Sequence, residues 1–216
     1  MADNYLEKKY EEYKSRKEGR TNHPYNGRKT TVIHKTRRVF VTGGAEGIGK
    51  AIVRAFRSAG HRVAFCDRNE AAGKETALQT GTSFFHVDVS DQEALENCMQ
   101  QIFKEWGDID IIINNAGISC FSPITETGVE DFDRILSVNL RPVFITSRRL
   151  AIHRQSQEAP NPFGRIVNIC STRYLMSEPG SEGYAASKGG VAQITKAFCN
   201  EWAEKGINVN SIAPGY

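Results

Sequence analysis

The fold is decided by a glycine-rich stretch, VTGGAEGIGKA at residues 41–51. It follows the apolar, β-branched run RRVFVTG at 37–43 and precedes IGKAIVRAFRSAG, whose apolar residues recur at helical spacing. Its glycines Gly43, Gly47 and Gly49 therefore lie between a predicted strand and a predicted helix. Small residues there let the backbone approach a pyrophosphate, and the helix N-terminus offers free N–H groups. The stretch predicts a phosphate-binding loop; the alternative is a tight turn that binds no ligand.

Apolar runs and helical patterns alternate along the chain from residue 37 onward. Each apolar run is continuous, which is typical of a strand whose two faces are both covered. The alternation predicts an α/β protein with a single-domain Rossmann fold, a doubly wound parallel sheet with helices on both faces. Ligands of such sheets bind beyond the carboxyl ends of the strands, at the switch point. Strands are predicted at 37–43, 61–67, 82–89, 108–117, 164–171 and 207–215, and helices at 48–60, 69–81, 90–107, 128–155 (with Pro142 inside it) and 183–206.

The charges around the second predicted strand indicate which dinucleotide would bind. Asp67 closes that strand, 24 residues past Gly43. A carboxylate at this place can accept hydrogen bonds from ribose hydroxyls and would repel a 2′-phosphate. Glu46 in the glycine loop adds a second negative charge, whereas Arg68 favours the phosphate. The balance favours NAD over NADP; the alternative for Asp67 is a solvated turn residue.

The composition fits an ordinary globular domain. The 216 residues are 39% hydrophobic and 25% charged, and the net charge of +3 is too small to indicate a polyanion partner. The five cysteines contain no Cys-x-x-Cys pair, and neither a signal peptide nor a long apolar stretch is present. We therefore expect reduced thiols, no metal site, no membrane contact and a cytoplasmic location.

Residues 1–36 form a basic, polar N-terminal arm that precedes the predicted catalytic domain at 37–216. The spacing of Leu6, Tyr10 and Tyr13 would place them on one face of a helix. Two interpretations stay open: a solvated arm, or an arm that packs on a neighbouring subunit through this face. Nucleic-acid binding is poorly supported, because acidic residues interleave the basic ones.

Seven short motifs occur in one order along the chain: TGGAEGIG at 42–49, DV at 88–89, NNAG at 114–117, VNL at 138–140, NICS at 168–171, YAASK at 184–188 and PG at 214–215. Together they resemble the short-chain dehydrogenase/reductase family, over residues 37–216. The resemblance implies a Rossmann domain that binds NAD(H) or NADP(H) and interconverts alcohols and ketones. Seven motifs in order are far more specific than any one of them.

The resemblance also implies roles for individual residues. Tyr184 would be the general acid/base, with Lys188 as its partner, since residues i and i+4 share a helix face and a nearby ammonium favours the phenolate. Ser171 would bind the substrate oxygen, and Asn139 would hold a water that links Lys188 to solvent. The implied cofactor-binding set is Gly43, Glu46, Gly47, Ile48, Gly49, Asp67, Asp88, Val89, Asn115, Ala116, Gly117, Tyr184, Lys188, Pro214 and Gly215.

Two features lie outside this pattern. Family members continue past the position of Tyr216, so the C-terminal part of the fold is expected to be truncated. Arg173, in the loop at 171–183, is interpreted either as a residue that binds a carboxylate or phosphate of the substrate or as a solvated loop residue.

The leading hypothesis is an oxidoreductase that transfers hydride between NAD(H) and a secondary alcohol or ketone. The alternatives are an NADP-dependent 3-oxoacyl reductase and a catalytically idle NAD(P)-binding protein. The family pattern also leads us to expect a homodimer or homotetramer. Val191, Ile194 and Phe198 would serve that interface or, alternatively, the core.

Overall fold

The computed structural model describes residues 35–158 and 160–215, and six strands within them form one sheet. The strands are β1 (Arg38–Thr42), β2 (Arg62–Asp67), β3 (Ser83–His86), β4 (Ile111–Asn114), β5 (Gly164–Ile169) and β6 (Ile207–Ile212). Their order is β3-β2-β1-β4-β5-β6, and every neighbouring pair is parallel. The first strand, β1, therefore lies at the centre of the sheet; β2 and β3 build one half, and β4 to β6 build the other. The predicted doubly wound Rossmann sheet is confirmed.

Helices connect the strands, and local sequence signals fix their ends. The helices are α1 (Gly47–Ser58), α2 (Glu70–Thr80), α3 (Gln92–Trp106), α4 (Val129–Asn139), α5 (Arg141–Gln155) and α6 (Glu182–Trp202), with 3-10 turns at Thr172–Tyr174 and Ala203–Lys205. The Asp91 side chain caps α3 by accepting the Ala94 N–H at 3.0 Å. Gly107 ends α3 in the left-handed conformation, with φ 76°.

The helix predicted over 128–155 is two helices, α4 and α5, which meet at Leu140. Proline has no N–H to donate to the carbonyl four residues back, so Pro142 cannot continue the hydrogen bonds of α4. The Val143 N–H donates to the Leu140 carbonyl at 3.1 Å, in place of the Asn139 carbonyl. Pro142 therefore lies in the first turn of α5, where proline is tolerated, and Asn139 ends α4.

Apolar side chains pack on both faces of the central strands. Along β1, Val39 and Val41 point to one face and pack against Val53 of α1, while Phe40 points to the other face. On that second face the core continues through α3 and α5. Toward the β6 edge one face stays polar: Val209 is buried, whereas its neighbours Asn208 and Asn210 are exposed. The central strands are thus covered on both faces, and the loops at their carboxyl ends start from this packed core.

Two expectations from the sequence concern the N-terminal arm and membrane-spanning helices. The predicted arm at 1–36, with Leu6, Tyr10 and Tyr13, lies outside the described residues except for Lys35 and Thr36. Across the ranges that the structure describes, none of the helices combines the length and the apolar character needed to cross a bilayer.

Candidate active site

The glycine loop after β1 forms one wall of an open cleft. Gly47 begins α1 with φ +53°, a conformation that L residues rarely adopt, and a Cβ on it would meet nothing within 4 Å. A Cβ on Gly49 would overlap the Gly43 carbonyl oxygen, so glycine is what lets α1 start this close to β1. The first turn of α1 lines a cavity of about 400 Å³. The unpaired N–H groups of that turn and the positive end of the helix dipole suit an anion there.

Hydrogen bonds fasten the loop after β4 to the glycine loop. Asn115 Nδ2 donates to the carbonyls of Thr42 (3.1 Å) and Gly43 (2.8 Å). Thr42 Oγ1 accepts the backbone N–H groups of Asn115 (3.0 Å) and Ala116 (3.1 Å). Strands β1 and β4 are neighbours from which the chain leaves in opposite directions, so this is the switch point of the sheet. The NNAG motif therefore holds the two walls of the cleft together.

Asp67, at the end of β2, is bound to the backbone of the cleft wall. Its Oδ2 accepts the Ala45 N–H at 3.0 Å, and its Oδ1 accepts the Asn69 N–H at 2.9 Å. The Asn69 side chain in turn donates to Glu46 Oε2 at 3.1 Å. Each ionised carboxylate oxygen has a second lone pair, so Asp67 can hold the loop and still accept from a ligand.

The predicted cofactor residues gather around two adjoining cavities, which share Ile48, Asn115, Gly117 and Ile118 and so form one cleft. The first cavity is lined by Gly43, Glu46, Gly47, Ile48, Gly49, Asp67, Arg68, Asp88, Val89, Asn115, Ala116, Gly117, Ile118 and Val138. The second, of about 330 Å³, is lined by Ser171, Tyr184, Lys188, Pro214 and Gly215 together with Ser119, Ile169, Cys170 and the shared residues. Of the residues predicted for the site, Asn139 lines neither of these two cavities.

Tyr184 and Lys188 project from the first turns of α6. The Lys188 ammonium donates to the Ile169 carbonyl at 2.8 Å and lies 5.5 Å from the centre of the Tyr184 ring. Lys188 is 4% exposed, and burial lowers the pKa of its ammonium below the ordinary value, with the Cys170 thiol acting in the opposite direction. The Tyr184 hydroxyl forms no hydrogen bond with any residue that the structure describes. The phenol oxygen is therefore available to a ligand, with a positive charge close to its ring.

Asn139 ties the loop after β4 to α6. Its Oδ1 accepts the Ile118 N–H at 2.8 Å, and its Nδ2 donates to the Ile118 carbonyl at 2.9 Å and to Ser187 Oγ at 3.0 Å. With the amide used in this way, the backbone carbonyl of Asn139 is the group left to hold a water, since Val143 donates to Leu140 instead. The water-holding role stays a prediction. The anchoring role, and Ser187 as its partner, were not predicted.

Ser171 and Arg173 line the outer part of the cleft. Ser171 Oγ accepts the Arg173 N–H at 3.2 Å, and the hydroxyl proton remains for another acceptor. A further space of about 210 Å³, here called the outer cavity, is lined by Ser119, Phe121, Ser171, Thr172, Arg173, Tyr184, Pro214 and Gly215. The Arg173 side chain is 5% exposed and forms an ion pair with Glu178. The interpretation of Arg173 as a solvated loop residue is therefore wrong.

Several lining residues escaped the sequence reasoning. Ile118 and Ser119 follow the NNAG motif directly, and Cys170 precedes Ser171, so adjacency to a motif is the signal that could have found them. Phe121 carries no such signal. Its ring centre lies 6.1 Å from that of Tyr184 because the loop after β4 folds over α6.

The sequence model of short chain dehydrogenases matches residues 37–216. The chain belongs to the short-chain dehydrogenase family. This short-chain dehydrogenase is 34% identical to gluconate 5-dehydrogenase of Gluconobacter oxydans (strain 621H) over 186 residues, which are 83% of the chain and 70% of that relative. It is 33% identical to sorbitol dehydrogenase of Cereibacter sphaeroides over 177 residues, 81% of the chain and 68% of that relative.

The solved structure of ElxO with NADP bound has the same fold as this short-chain dehydrogenase. The TM-score is 0.77 at 32% identity, over 84% of this chain and 74% of ElxO. The chain thus spans about 70% of the length of gluconate 5-dehydrogenase and a similar share of the other two proteins.

Proposed function

We propose that this short-chain dehydrogenase transfers hydride between NAD(H) and a secondary alcohol or ketone, with Tyr184 as the general acid/base. The observation that carries the proposal is the continuous cleft, which the glycine loop lines at one end and Ser171, Tyr184 and Lys188 line at the other. Relatives named for the oxidation of gluconate and sorbitol support alcohol chemistry.

The residues that line the cleft fit a nicotinamide dinucleotide. The open space at Gly47, before the first turn of α1, suits the pyrophosphate. Asp67 at the end of β2 would accept from the adenosine ribose, and Pro214 and Gly215 would border the nicotinamide in the second cavity. When bound, the nicotinamide supplies the acceptor or donor of the hydride.

The protein's own part of the reaction is the movement of one proton. In the oxidation, the carbinol carbon loses a hydride while the hydroxyl proton passes to the Tyr184 oxygen; in the reduction, Tyr184 returns that proton to the ketone oxygen. The Lys188 ammonium lies 5.5 Å from the centre of the Tyr184 ring and so places a positive charge beside the residue that carries the proton. The Ser171 hydroxyl donates to the substrate oxygen, on which negative charge develops.

We infer a preference for NAD from the charges around the first cavity. Asp67 and Glu46 both line it, and Arg68 is the sole cation among its described lining residues. A 2′-phosphate beside Asp67 would lie close to a carboxylate that the backbone holds in place. Because ElxO is a relative with NADP bound, the preference needs a direct measurement on this chain.

We also propose a homodimer or homotetramer built on α5 and α6. Phe144 of α5 is 47% exposed and lies 6.4 Å, ring centre to ring centre, from the half-buried Phe198 of α6. Val191, by contrast, is buried in the core of the protomer. Analytical ultracentrifugation that found only a 24.0 kDa species at micromolar concentration would contradict this proposal.

Binding and turnover of the purified protein test the proposed activity. We expect a lower Kd for NAD than for NADP in a fluorescence titration, and NADH production from members of a panel of secondary alcohols. Equal or tighter NADP binding would overturn the argument from Asp67 and favour the NADP-dependent 3-oxoacyl reductase. Tight dinucleotide binding without turnover of any alcohol or ketone would favour the idle binding protein.

A further inference from the structure

We propose that the outer cavity binds the carboxylate of a hydroxy-acid substrate and that Arg173 is the residue that recognises it. The inference rests on the proposed function and narrows it, because it selects one class among the alcohols that the cleft could accept. Sugar acids of the aldonate type, in which a carboxylate and secondary hydroxyls share one short chain, have the required chemistry.

The first argument is the charge of the cavity walls. Lys188 and Arg173 are the charged side chains among the described residues that line the second and outer cavities, and neither an Asp nor a Glu lines them. Lys188 lies against the Ile169 carbonyl and the Tyr184 ring. Arg173 is therefore the cation that an anionic substituent of the substrate would meet.

The second argument is position. Ser171 and Tyr184 line both the second and the outer cavity, whereas Arg173 lines the outer cavity alone. A substrate whose hydroxyl lies between Ser171 and Tyr184 would thus place its carboxylate further from the nicotinamide. The acid group and the reacting hydroxyl should be separated by intervening carbons.

The third argument is that Arg173 is held in place before substrate arrives. The backbone N–H of Arg173 donates to Ser171 Oγ at 3.2 Å. The backbone N–H of the preceding residue, Thr172, donates to the Pro214 carbonyl at 3.1 Å. The 3-10 turn that carries the guanidinium is therefore attached to the residue that binds the substrate oxygen and to the segment after β6. The planar guanidinium suits a carboxylate, with which it can form two parallel hydrogen bonds.

Glu178 forms the ion pair with Arg173 and marks the place where a carboxylate fits. Its side chain is 53% exposed, and residues 175–180 form no helix or strand. An exposed carboxylate on such a loop can make room for a substrate carboxylate at the buried guanidinium. Glu178 is then a competitor of the substrate. A single guanidinium beside Phe121 and Pro214 suits a monoanion better than a doubly charged phosphate.

The test compares gluconate with sorbitol, which share a six-carbon polyol chain and differ in the acid group. The readout is the ratio of kcat/KM for gluconate to kcat/KM for sorbitol, measured with NAD. Arg173→Gln should lower this ratio roughly 10- to 100-fold, the loss expected when hydrogen bonding between two charged groups is removed. Glu178→Gln should raise it. The matched control is Arg134→Gln, which removes a guanidinium from another Arg–carboxylate pair, with Asp131 on α4, and should leave the ratio unchanged.

Each result decides the inference separately from the proposed function. If Arg173→Gln lowered the activity on gluconate and on sorbitol equally, the inference about Arg173 would be overturned, while the proposed dehydrogenase function would still stand. If neither compound is oxidised, calorimetric titration of gluconate into the protein with NAD decides: binding that Arg173→Gln abolishes supports the inference although the activity fails, and no binding to the wild type overturns it. Should Arg173→Gln not fold, an unchanged or lower ratio in Glu178→Gln contradicts the inference.

Discussion

The two edges of the same sheet use charged residues in opposite ways. At the amino edge, the Asp110 carboxylate accepts four hydrogen bonds: from Arg38 N (2.8 Å), Nε (2.9 Å) and Nη2 (3.0 Å), and from Asn161 Nδ2 (2.7 Å). Arg154, which is 2% exposed, lies against Asp108 at 3.3 Å and donates to the Ile109 carbonyl at 2.8 Å. Every buried charge of this cluster has a protein partner.

At the carboxyl edge the same kinds of groups lie around a cavity. Lys188 is as buried as Asp110 and Arg154, yet its ammonium donates to the neutral Ile169 carbonyl and lies near Tyr184. Burial pushes the pKa of Asp110 upward, but hydrogen bonds from Arg38 and Asn161 outweigh it, and this pKa lies below its usual value. Burial lowers the pKa of Lys188, and the opposing effect of Cys170 is smaller. We therefore expect the amino edge to contribute stability and the carboxyl edge to keep its charge for a ligand.

The sharpest way to break this comparison is Tyr184→Phe. We expect kcat/KM for the alcohol substrate to fall about 10²- to 10⁴-fold, the usual contribution of a general acid/base. The free energy of unfolding should change by less than about 0.5 kcal/mol, because the lost hydroxyl has no partner among the described residues. Steady-state kinetics and chemical denaturation give the two numbers.

Tyr174→Phe is the matched control for that variant, since Tyr174 lies in the 3-10 turn after Ser171 but lines none of the three cavities. It should keep wild-type kinetics. Activity that survives in Tyr184→Phe would show that another group moves the proton.

The second test is Asp110→Asn, at the opposite edge. The change removes two charge-assisted hydrogen bonds from Arg38, which keeps Asp108 as its remaining anionic partner, so unfolding should become easier by about 1–3 kcal/mol. The kcat of the folded fraction should stay near wild type, because the site lies at the other end of the strands. Chemical denaturation monitored by circular dichroism measures the loss.

Asp131→Asn is the control, since it breaks an exposed pair with Arg134 and should cost less than about 1 kcal/mol. The change of stability at low pH gives a second test of the Asp110 carboxylate. A carboxylate with a depressed folded pKa stabilises the protein above its unfolded pKa, near 3.9, and that contribution is lost as the pH falls through the folded value. Wild type should therefore lose more stability in acid than Asp110→Asn. If the two proteins lost the same free energy of unfolding as the pH was lowered, the proposed role of the cluster would be contradicted.

The third test, Lys188→Met, is expected to change stability by little and in the opposite direction to Asp110→Asn. Folding disfavours the ammonium form of Lys188, so its charge opposes folding at pH 7. The variant should be as stable as wild type or more stable by up to about 1 kcal/mol, while its activity is largely lost. Denaturation curves and kinetics on the same preparation test this.

The pH dependence of that difference has a definite sign. The Lys188 charge opposes folding fully at pH values below its lowered folded pKa. This destabilisation disappears as the pH rises to the unfolded pKa near 10.4. The stability advantage of Lys188→Met should therefore shrink in alkali. A variant several kcal/mol less stable than wild type at pH 7 would mean that Lys188 is a structural residue, like those of the amino edge.

The sequence predicted the residues of the cleft but not the ion pairs at the amino edge. The glycine loop and the pair Tyr184 and Lys188 are local patterns, whose geometry follows from one turn or one helix face. The ion pair of Arg38 with Asp110 joins residues 72 apart in sequence and gave no pattern. It forms because β1 and β4 are neighbours in the sheet, a fact of strand order.

Pro142 shows what the sequence could not predict even within the single segment 128–155. The sequence indicated a helix over 128–155 and placed a proline inside it. Whether that proline kinks one helix or separates two depends on what the neighbouring residues can contact. Here the break at Leu140 directly follows Asn139, whose side chain has Ile118 and Ser187 as hydrogen-bond partners.

By itself, the sequence determined the alternation of strands and helices, the glycines at the start of α1 and the i, i+4 spacing of Tyr184 and Lys188. These features depend on backbone conformation within a few residues, which local side chains control. Only the tertiary structure decided that Asn139 anchors Ile118 and Ser187, 21 and 48 residues away, and that Arg173 lies buried beside the Ser171 hydroxyl against Glu178. Such contacts depend on how the whole sheet and its helices pack, and spacing along the chain does not encode that packing in any short pattern.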